Sequence, residues 1–577
     1  MNRNAVLLTA VFVAFSTIAA APTTSPSAAS RYDDAFLSGN TQLVWDHASP
    51  AMRELFGSPQ KLKAFRDSAL GKRPTAKGVE QTTARGADTL VRTVTTAAGQ
   101  TLKITWTVDA KSEQIVGLLV KPVAPAEAAA AKADEAAAQP PTDAVIRTTL
   151  RKWVDTHHVA PGIVVGIIDD KGSRVLTYGK RELGKPEAVS GETLFEIGSS
   201  TKVFTTALLA EMADRGEVKL DDPVAKFLPA TAKMPSRNGK QITLLDLATH
   251  TSGLPSAPEN APFADGDDPW ADYTVPLLYE YLSTCKLSRD VGASFEYSNL
   301  GMGLLGHALG LAGKSDYESL VVARICEPLK MSSTRITLTS ALEARLARGH
   351  SAFGPPVKNW KSGALLGDGA LFSSANDMLK FLAANMRKNP SALATAIEKT
   401  HRPLHDAGPF NKIGLGWHIS SANGENGAVW HNGQTGGFHS YVAFHPQRRR
   451  GVVVLANSAN SIDLLGAYVL GETSTLDDPK VPTQRRVARV DQAALERCVG
   501  KYKGSEPDVI TVTRDGDRLI IQPSRGPRVQ ALPESETSFF ATAFDAQVTF
   551  QKNGAGDVTR AVFRHDGKDE TAEKLAK

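Results

Sequence analysis

Hydrophobic and polar positions alternate with two different periods along the chain, and the changes of period mark its predicted domains. Apolar residues recur at helical spacing over 45–70, and strand-like alternation follows at 89–96, 101–108 and 115–120. Spacing by three or four residues predicts helices, whereas strict alternation predicts half-buried strands. Helices followed by an antiparallel sheet predict a small α+β domain over residues 22–121.

The middle of the chain, residues 143–475, carries strand patterns at both ends and helical patterns between them. One hairpin is predicted at 162–178 and a second at 440–455, and a mostly helical stretch runs from 200 to 400. Strands from both ends of one segment favour an antiparallel sheet closed by its own termini, flanked by helices and with a helical lobe inserted.

Two further segments flank this region. Residues 122–142 are rich in Ala, bounded by prolines and without an apolar stripe to bury, so we interpret them as a linker. Beyond an interruption at 475–490, short strand patterns recur with turn signals between them. They predict a small antiparallel β domain, an open sheet or a barrel, over 490–577. The predicted fold class of the whole chain is therefore α+β multidomain.

The N-terminus predicts the compartment. Arg3 precedes an apolar run over 5–15, and small residues close that run at 19–21. This order is typical of a secretory signal peptide, here residues 1–21. No later stretch reaches the roughly 18 apolar residues of a membrane span. We therefore expect an exported protein, periplasmic or extracellular, without stable membrane insertion.

Composition narrows the class of protein further. Of the 577 residues, 42% are apolar and 22% charged, and the formal net charge is only +5. Such a chain can bury several cores, and it shows no electrostatic preference for nucleic acid. The three cysteines, Cys285, Cys326 and Cys498, allow at most one disulfide, and the sequence leaves the pair open.

One Ser-x-x-Lys tetrapeptide has the context of a catalytic nucleophile. Ser199 and Lys202 follow a strand-like stretch and begin an apolar helix, so their side chains share one helix face. A serine hydroxyl becomes nucleophilic when a neighbouring base accepts its proton, and a partly buried lysine amine can serve as that base. Two other such tetrapeptides, at 58–61 and 283–286, lack this context.

Two further motifs supply the remaining candidate groups. Tyr297 is the only tyrosine followed by Asn two positions later. Its phenol beside an ammonium is a candidate second base, and the Asn299 amide can orient the lysine and donate to a substrate carbonyl. On a later strand, His431 is followed by Gly433, where glycine allows a substrate backbone to approach closely. Rival Lys-x-Gly motifs lie in less suitable contexts, at 361–363 and 412–414.

These motifs, in this order, resemble those of the class C β-lactamase and serine DD-peptidase family, which includes esterases. Further stretches that look like that family are 250–255, 369–378 and 414–417. The similarity covers about 143–475. The unit at 490–577 resembles the lipocalin-like appendage often fused to bacterial serine hydrolases.

The resemblance implies an acyl-enzyme mechanism that needs no metal or organic cofactor. Ser199 would attack a carbonyl, and Lys202 and Tyr297 would share the proton transfers. Asn299 would position the substrate, and the backbone N–H groups of Ser199 and Gln434 would form the oxyanion hole. The implied partner is a small-molecule or peptide substrate, namely an ester, a D-amino-acid peptide or a lactam. No nucleic-acid partner is expected, and the oligomeric state stays open.

The sequence departs from the family pattern at 431–433. β-Lactamases of this family usually carry Lys-Thr-Gly there, whose cation and hydroxyl meet the substrate carboxylate. We expect His431 to be only partly charged near neutral pH, and Asn432 replaces the hydroxyl residue. Recognition of an anionic β-lactam should therefore be weakened.

The leading hypothesis is an exported serine hydrolase that acts through a Ser199 acyl-enzyme on an ester or amide, as an esterase, a D-amino-acid peptidase or a β-lactamase. The alternative is a slowly acylating penicillin-recognising or peptidoglycan-binding protein without efficient turnover.

Overall fold

The computed structural model divides the chain into two compact units, Met1–Ala137 and Ala138–Lys577. The predicted signal peptide and positions 123–139 of the predicted linker lie outside the described residues. The structure describes residues 28–38, 40–56, 58–70, 75–84, 87–95, 101–109, 112–122, 140–262, 265, 268–388, 390–408, 411–422, 425–504, 509–523, 528–542, 546–565 and 568–575.

In the first unit, helices pack on one face of an antiparallel sheet. Trp106 joins the two layers, because its indole nitrogen donates to Asp33 Oδ1 over 2.9 Å and Phe36 meets its ring edge-on. The predicted α+β arrangement is confirmed. The pattern analysis missed the first strand, Thr75–Ala84, which is mostly polar. The helices are Ala28–Ser38, Thr41–Asp46, Pro50–Phe56 and Pro59–Leu70, and the strands, in sheet order, are Thr75–Ala84, Ala87–Thr95, Thr101–Asp109 and Ile115–Pro122.

The second unit is built around an antiparallel sheet in which a strand from the start of the segment pairs with a strand from its end. The strand Arg450–Ala456 pairs with Gly162–Asp169, with Val453 opposite Gly166, so the predicted closure of the sheet by its own termini is confirmed. Among the described residues this sheet has eight strands, in the order His405–Asp406, Asn411–Ile413, His418–Ala422, Glu425–Gln434, His439–His445, Arg450–Ala456, Gly162–Asp169 and Gly172–Gly179.

Helices cover both faces of this sheet. Because successive side chains of a strand point to opposite faces, the neighbours Val164 and Val165 belong to different cores. The core of Val165 is closed by Asp143–Arg151, the π-helical turn Lys152–Thr156 and Asp463–Leu470. The other face carries the predicted helical lobe, with helices Lys202–Asp214, Leu244–Ala248, Val275–Thr284, Asn299–Ala312, Tyr317–Val321, Ser340–Glu343, Leu366–Gly369, Ala375–Asn385 and Ala392–Glu398.

Short elements complete the lobe. The strand Leu194–Glu196 pairs with Phe372–Ser374, and Ser236–Arg237 pairs with Lys240–Gln241. A π-helical turn spans Val322–Cys326. Across the described parts of both units, no helix combines the length and the apolar character needed to cross a membrane.

The C-terminal segment forms a closed antiparallel barrel, so of the two predicted forms the barrel is the one adopted. It contacts the rest of its unit through Gln530, whose amide donates to Asp265 Oδ1 over 2.5 Å. The helix Gln492–Cys498 precedes the barrel strands, which in the described residues are Gly500–Lys503, Val509–Asp515, Arg518–Pro523, Val529–Pro533, Ser538–Ala541, Ala546–Lys552, Val558–His565 and Lys568–Lys574.

The three cysteines, Cys285, Cys326 and Cys498, are all free thiols, so the single disulfide that their number allowed is not formed.

Asn457, fully buried at the end of the strand Arg450–Ala456, ties the sheet to the lobe. Its Oδ1 accepts from the Gly162 backbone N–H over 2.8 Å. Its amide nitrogen lies 2.9 Å from the Arg181 carbonyl oxygen and 3.2 Å from that of Arg348. A buried amide that satisfies several backbone groups is costly to remove, because those groups lose their partners without regaining water.

We expect Asn457→Ala to lower the free energy of unfolding by about 3 kcal/mol, measured by urea denaturation. Asn376→Ala is the matched control, since the Asn376 amide bonds the exposed carboxylate of Glu192, and it should cost less than about 1 kcal/mol. Equal losses in the two variants would contradict this role for Asn457.

Candidate active site

Ser199 lies where a short strand runs into a helix. After the strand Leu194–Glu196 the chain makes a 3₁₀ turn over Gly198–Thr201 and continues as the helix Lys202–Asp214. Gly198 has a φ of 49°, which glycine adopts without strain. Ser199 alone in this turn is not buried, so its hydroxyl is the one that a substrate can reach.

The Lys202 ammonium is fully buried and has three acceptors. It donates to Ser199 Oγ over 2.9 Å, to Asn299 Oδ1 over 2.8 Å and to the backbone oxygen of Asp368 over 2.8 Å. Three of the predicted site residues therefore meet at one nitrogen. In its neutral form the same amine has a lone pair directed at the serine, which is the geometry of a general base.

Tyr297 approaches this lysine through the face of its ring. The Lys202 nitrogen lies 4.8 Å from the centre of the ring, a cation–π distance. The phenol is carried to the site by the residues that lead into the helix Asn299–Ala312, where the Ser298 hydroxyl caps the Gly301 N–H over 2.9 Å. The structure thus brings Tyr297 beside the lysine, but the contact runs through the ring and not through the phenol oxygen.

The end of the strand Glu425–Gln434 runs alongside the nucleophile turn. A Cβ added to Gly433 would lie 2.0 Å from the Ile197 oxygen and 2.8 Å from the Ser199 nitrogen, so only glycine fits there. A Cβ on Gly198 would in turn lie 2.8 Å from the Gln434 nitrogen. The backbone nitrogens of Ser199 and Gln434 are therefore close neighbours, as an oxyanion hole requires.

Two histidines that the sequence analysis did not single out surround Tyr297. The His250 ring lies 4.6 Å from the Tyr297 ring, and His418 stacks on Trp430 at 4.7 Å and lies 5.3 Å from His431. Burial, together with the Lys202 charge, lowers the pKa of His418 to about 4 and holds that of His250 well below its usual value. The sequence could have pointed to these two histidines only by their position, because both lie in or beside the family-like stretches at 250–255 and 414–417.

Asp368 is a further residue that the sequence analysis missed. Its backbone oxygen holds Lys202, and its carboxyl group is buried close enough for the lysine charge to act on it. Burial raises the pKa of this carboxyl to about 6, and the lysine opposes that shift. The Gly367-Asp368-Gly369 sequence is typical of a loop, so nothing local pointed to a role in the site.

Comparisons with known proteins place this site in a family. The β-lactamase family model matches residues 142–469, and a model described as a domain of unknown function, DUF3471, matches 484–574. The chain belongs to the β-lactamase family. It is accordingly a serine hydrolase of the type that the resemblance implied.

Individual relatives agree with this assignment. The D-alanyl-D-alanine-carboxypeptidase/endopeptidase AmpH of Escherichia coli K12 is 30% identical over 312 residues, which are 51% of this chain and 79% of that protein. A β-lactamase of the same strain is 27% identical over 348 residues, 54% of this chain and 88% of that protein. A crystal structure of a class C β-lactamase from Rhodobacter sphaeroides shares the fold, with a TM-score of 0.50, 24% identity and coverage of 57% of this chain and 98% of that one.

The rival motifs of the second unit lie outside the site of this β-lactamase-family hydrolase. Ser283, of the tetrapeptide at 283–286, bonds its own helix through the Tyr279 carbonyl oxygen over 2.7 Å. Ser58 belongs to the first unit. The glycines of the two rival Lys-x-Gly motifs pack elsewhere, Gly363 against the Tyr273 carbonyl oxygen and Gly414 against that of Thr400.

The expectation that His431 is partly charged near neutral pH is wrong. Its side chain is 1% exposed, and burial, with His418 and Lys202 nearby, holds its pKa well below the usual value. Nδ1 lies 2.6 Å from the Asn432 carbonyl oxygen, so Nδ1 carries the hydrogen and Nε2 is an acceptor. The family's lysine is therefore replaced here by a neutral imidazole.

Asn432 faces away from His431, as alternation along a strand requires. Its amide donates to Asp463 Oδ2 over 2.7 Å, and the other oxygen of that carboxylate lies 2.9 Å from His439 Nε2. The hydroxyl of the family pattern is thus replaced by an amide that a carboxylate already binds.

The described residues contain no group of three His, Cys, Asp or Glu side chains that could hold a metal ion.

We expect Gly433→Ala to abolish acylation of Ser199, because the new methyl group would displace the strand from the nucleophile turn. Acylation by an activated ester, followed by intact mass, measures this. Gly427→Ala on the same strand is the control, since its Cβ would meet nothing closer than 3.5 Å. Normal acylation of the Gly433 variant would show that the two segments are not held together as described.

Proposed function

We propose that this chain is an exported hydrolase that forms an acyl-enzyme at Ser199 and cleaves esters or D-amino-acid peptides in preference to anionic β-lactams. The observation that carries the proposal is the buried Lys202 nitrogen, 2.9 Å from Ser199 Oγ and anchored by Asn299 and Asp368. Export is supported by the sequence pattern of residues 1–21 alone.

The first half of the reaction uses the groups around Lys202. The neutral amine takes the Ser199 proton as Oγ bonds to the substrate carbonyl carbon. The N–H groups of Ser199 and Gln434 stabilise the oxyanion, each donor lowering the barrier by about 3–4 kcal/mol. The leaving alcohol or amine departs with the proton that Lys202 took from Ser199, and water then cleaves the acyl-enzyme by the reverse proton path.

Charge at the site supports the substrate preference. The Lys202 charge lowers the pKa of both His418 and His431, and its ammonium group donates a hydrogen bond to Ser199 Oγ. His431 is neutral, and Asn432 is bound to the Asp463 carboxylate. An anionic group beside the scissile bond would therefore find weak attraction here. The AmpH relative is named both a D-alanyl-D-alanine carboxypeptidase and an endopeptidase. Of these two activities, the endopeptidase type, which cleaves away from the chain terminus, fits a site with weak attraction for a carboxylate.

We expect Ser199→Ala to reduce hydrolysis of a chromogenic short-chain ester by at least about 10³-fold. Ser283→Ala, which alters the serine of another Ser-x-x-Lys tetrapeptide, should leave the rate unchanged. Retention of the wild-type rate by Ser199→Ala would refute the proposed nucleophile.

Fluorescent penicillin labelling followed by intact-mass measurement tests the alternative function. A persistent adduct without ester turnover would indicate a slowly acylating binding protein.

We expect His431→Lys to raise kcat/KM for an anionic lactam about tenfold relative to a neutral ester, since a new cation would attract the carboxylate. His431→Asn is the matched neutral control and should give no such gain. Thermal unfolding of both variants checks that the buried substitution is tolerated. A parallel change for lactam and ester in the folded lysine variant would show that charge at 431 does not set the preference.

A further inference from the structure

Glu196 is a buried carboxyl group beside the nucleophile that the reaction above does not use. It ends the strand Leu194–Glu196, three positions before Ser199, and is only 4% exposed. Its Oε1 accepts from Asn359 Nδ2 over 2.7 Å and from the Trp360 backbone N–H over 2.8 Å. Its Oε2 is buried without a hydrogen-bond partner among the described residues.

The groups around this carboxyl come from separate parts of the site. The Trp360 indole nitrogen would lie 2.8 Å from a Cβ on Gly436, so the ring stands against the turn that follows Gln434. The Thr435 hydroxyl, in the same turn, lies close enough to the Glu196 carboxyl to lower its pKa. The Thr435 N–H donates to the Phe438 carbonyl oxygen over 3.0 Å. One carboxyl group therefore links the nucleophile strand, the 359–360 loop and the 435–438 turn.

We propose that Glu196 is a positioning residue that holds the 359–360 loop and the 435–438 turn against the nucleophile strand and thereby sets the place of the Gln434 N–H relative to Ser199. The proposal rests on the proposed function of that N–H in the oxyanion hole. Glu196 has no part in bond making, and it acts through the segments that it joins.

The protonation state of Glu196 should matter, because both groups that bond Oε1 are donors. The ionised carboxylate holds such donors more strongly than the neutral acid does. Burial is the main cause that raises the pKa of Glu196 to about 7, and Asp268 adds to the effect. Charged side chains on the neighbouring segments include Lys358, which pairs with the Asp265 carboxylate over 2.8 Å, Lys361, whose charge lowers the pKa of Asp268, and Arg335, whose backbone N–H bonds the Phe372 oxygen opposite Glu196.

The kinetic test compares Glu196→Ala with Glu196→Gln on a chromogenic ester. We expect Glu196→Ala to lower kcat about tenfold or more with a smaller change in KM. Glu196→Gln keeps an acceptor at the Oε1 position but has no charge, so its kcat at pH 8 should lie between those of Glu196→Ala and wild type and should match that of wild type below pH 7. In the wild type, kcat should fall as the pH drops through about 7, and this step should be absent in Glu196→Gln. Glu192→Gln, an exposed carboxylate of the same segment paired with Arg345, is the control and should keep the wild-type profile.

Thermal unfolding gives an independent readout. A carboxyl whose pKa is higher in the folded than in the unfolded chain destabilises the fold as it ionises. The melting temperature of Glu196→Gln relative to wild type should therefore rise between pH 5 and pH 8, with no such trend for Glu192→Gln.

A wild-type kcat in Glu196→Ala, or a pH step near 7 that survives in Glu196→Gln, would overturn the proposal. Failure of the proposed function would appear differently, as activity that persists in Ser199→Ala. The two results are therefore distinguishable on the same substrate.

Discussion

A single buried ammonium group organises the centre of this protein. Lys202 has no contact with bulk water, so each of its N–H bonds needs an acceptor inside the fold, and an unmatched one would carry a large desolvation cost. The three acceptors come from the nucleophile turn, from the start of the helix Asn299–Ala312 and from the short helix Leu366–Gly369. The lobe must therefore pack so that these three elements meet, and that packing also delivers the serine.

The surroundings of Lys202 are polar but weakly charged. Three imidazoles lie near Tyr297, and burial keeps His250, His418 and His431 neutral. The buried carboxyl of Asp368, by contrast, titrates at about 6. A second buried cation here would repel the Lys202 ammonium and would itself be costly to desolvate. Neutral imidazoles avoid this cost and still offer hydrogen-bonding nitrogens. The Ser199–Lys202 pair is therefore present here without the cation that the family pattern usually carries at position 431.

The 359–360 loop and the 435–438 turn lie beside the nucleophile strand and are joined to it by Glu196. The 359–360 loop is held by Glu196 on one side, and on the other Lys358 binds Asp265, which also accepts from Gln530 of the barrel. The C-terminal barrel therefore contacts, through Gln530 and Asp265, the segment that pairs with the 359–360 loop.

The sequence by itself determined the features that depend on local spacing. The hairpins at 162–178 and 440–455 follow from short strand-like runs joined by turn residues, and Ser199 and Lys202 share a face because three residues nearly complete one helical turn. Only the tertiary structure decided the remainder. The Asp368 carbonyl leaves no trace in sequence because every residue has one, and Glu196 meets Asn359 across more than a hundred positions. The charge of His431 depends on burial by other segments, since a pKa is set by surroundings that the chain assembles only on folding.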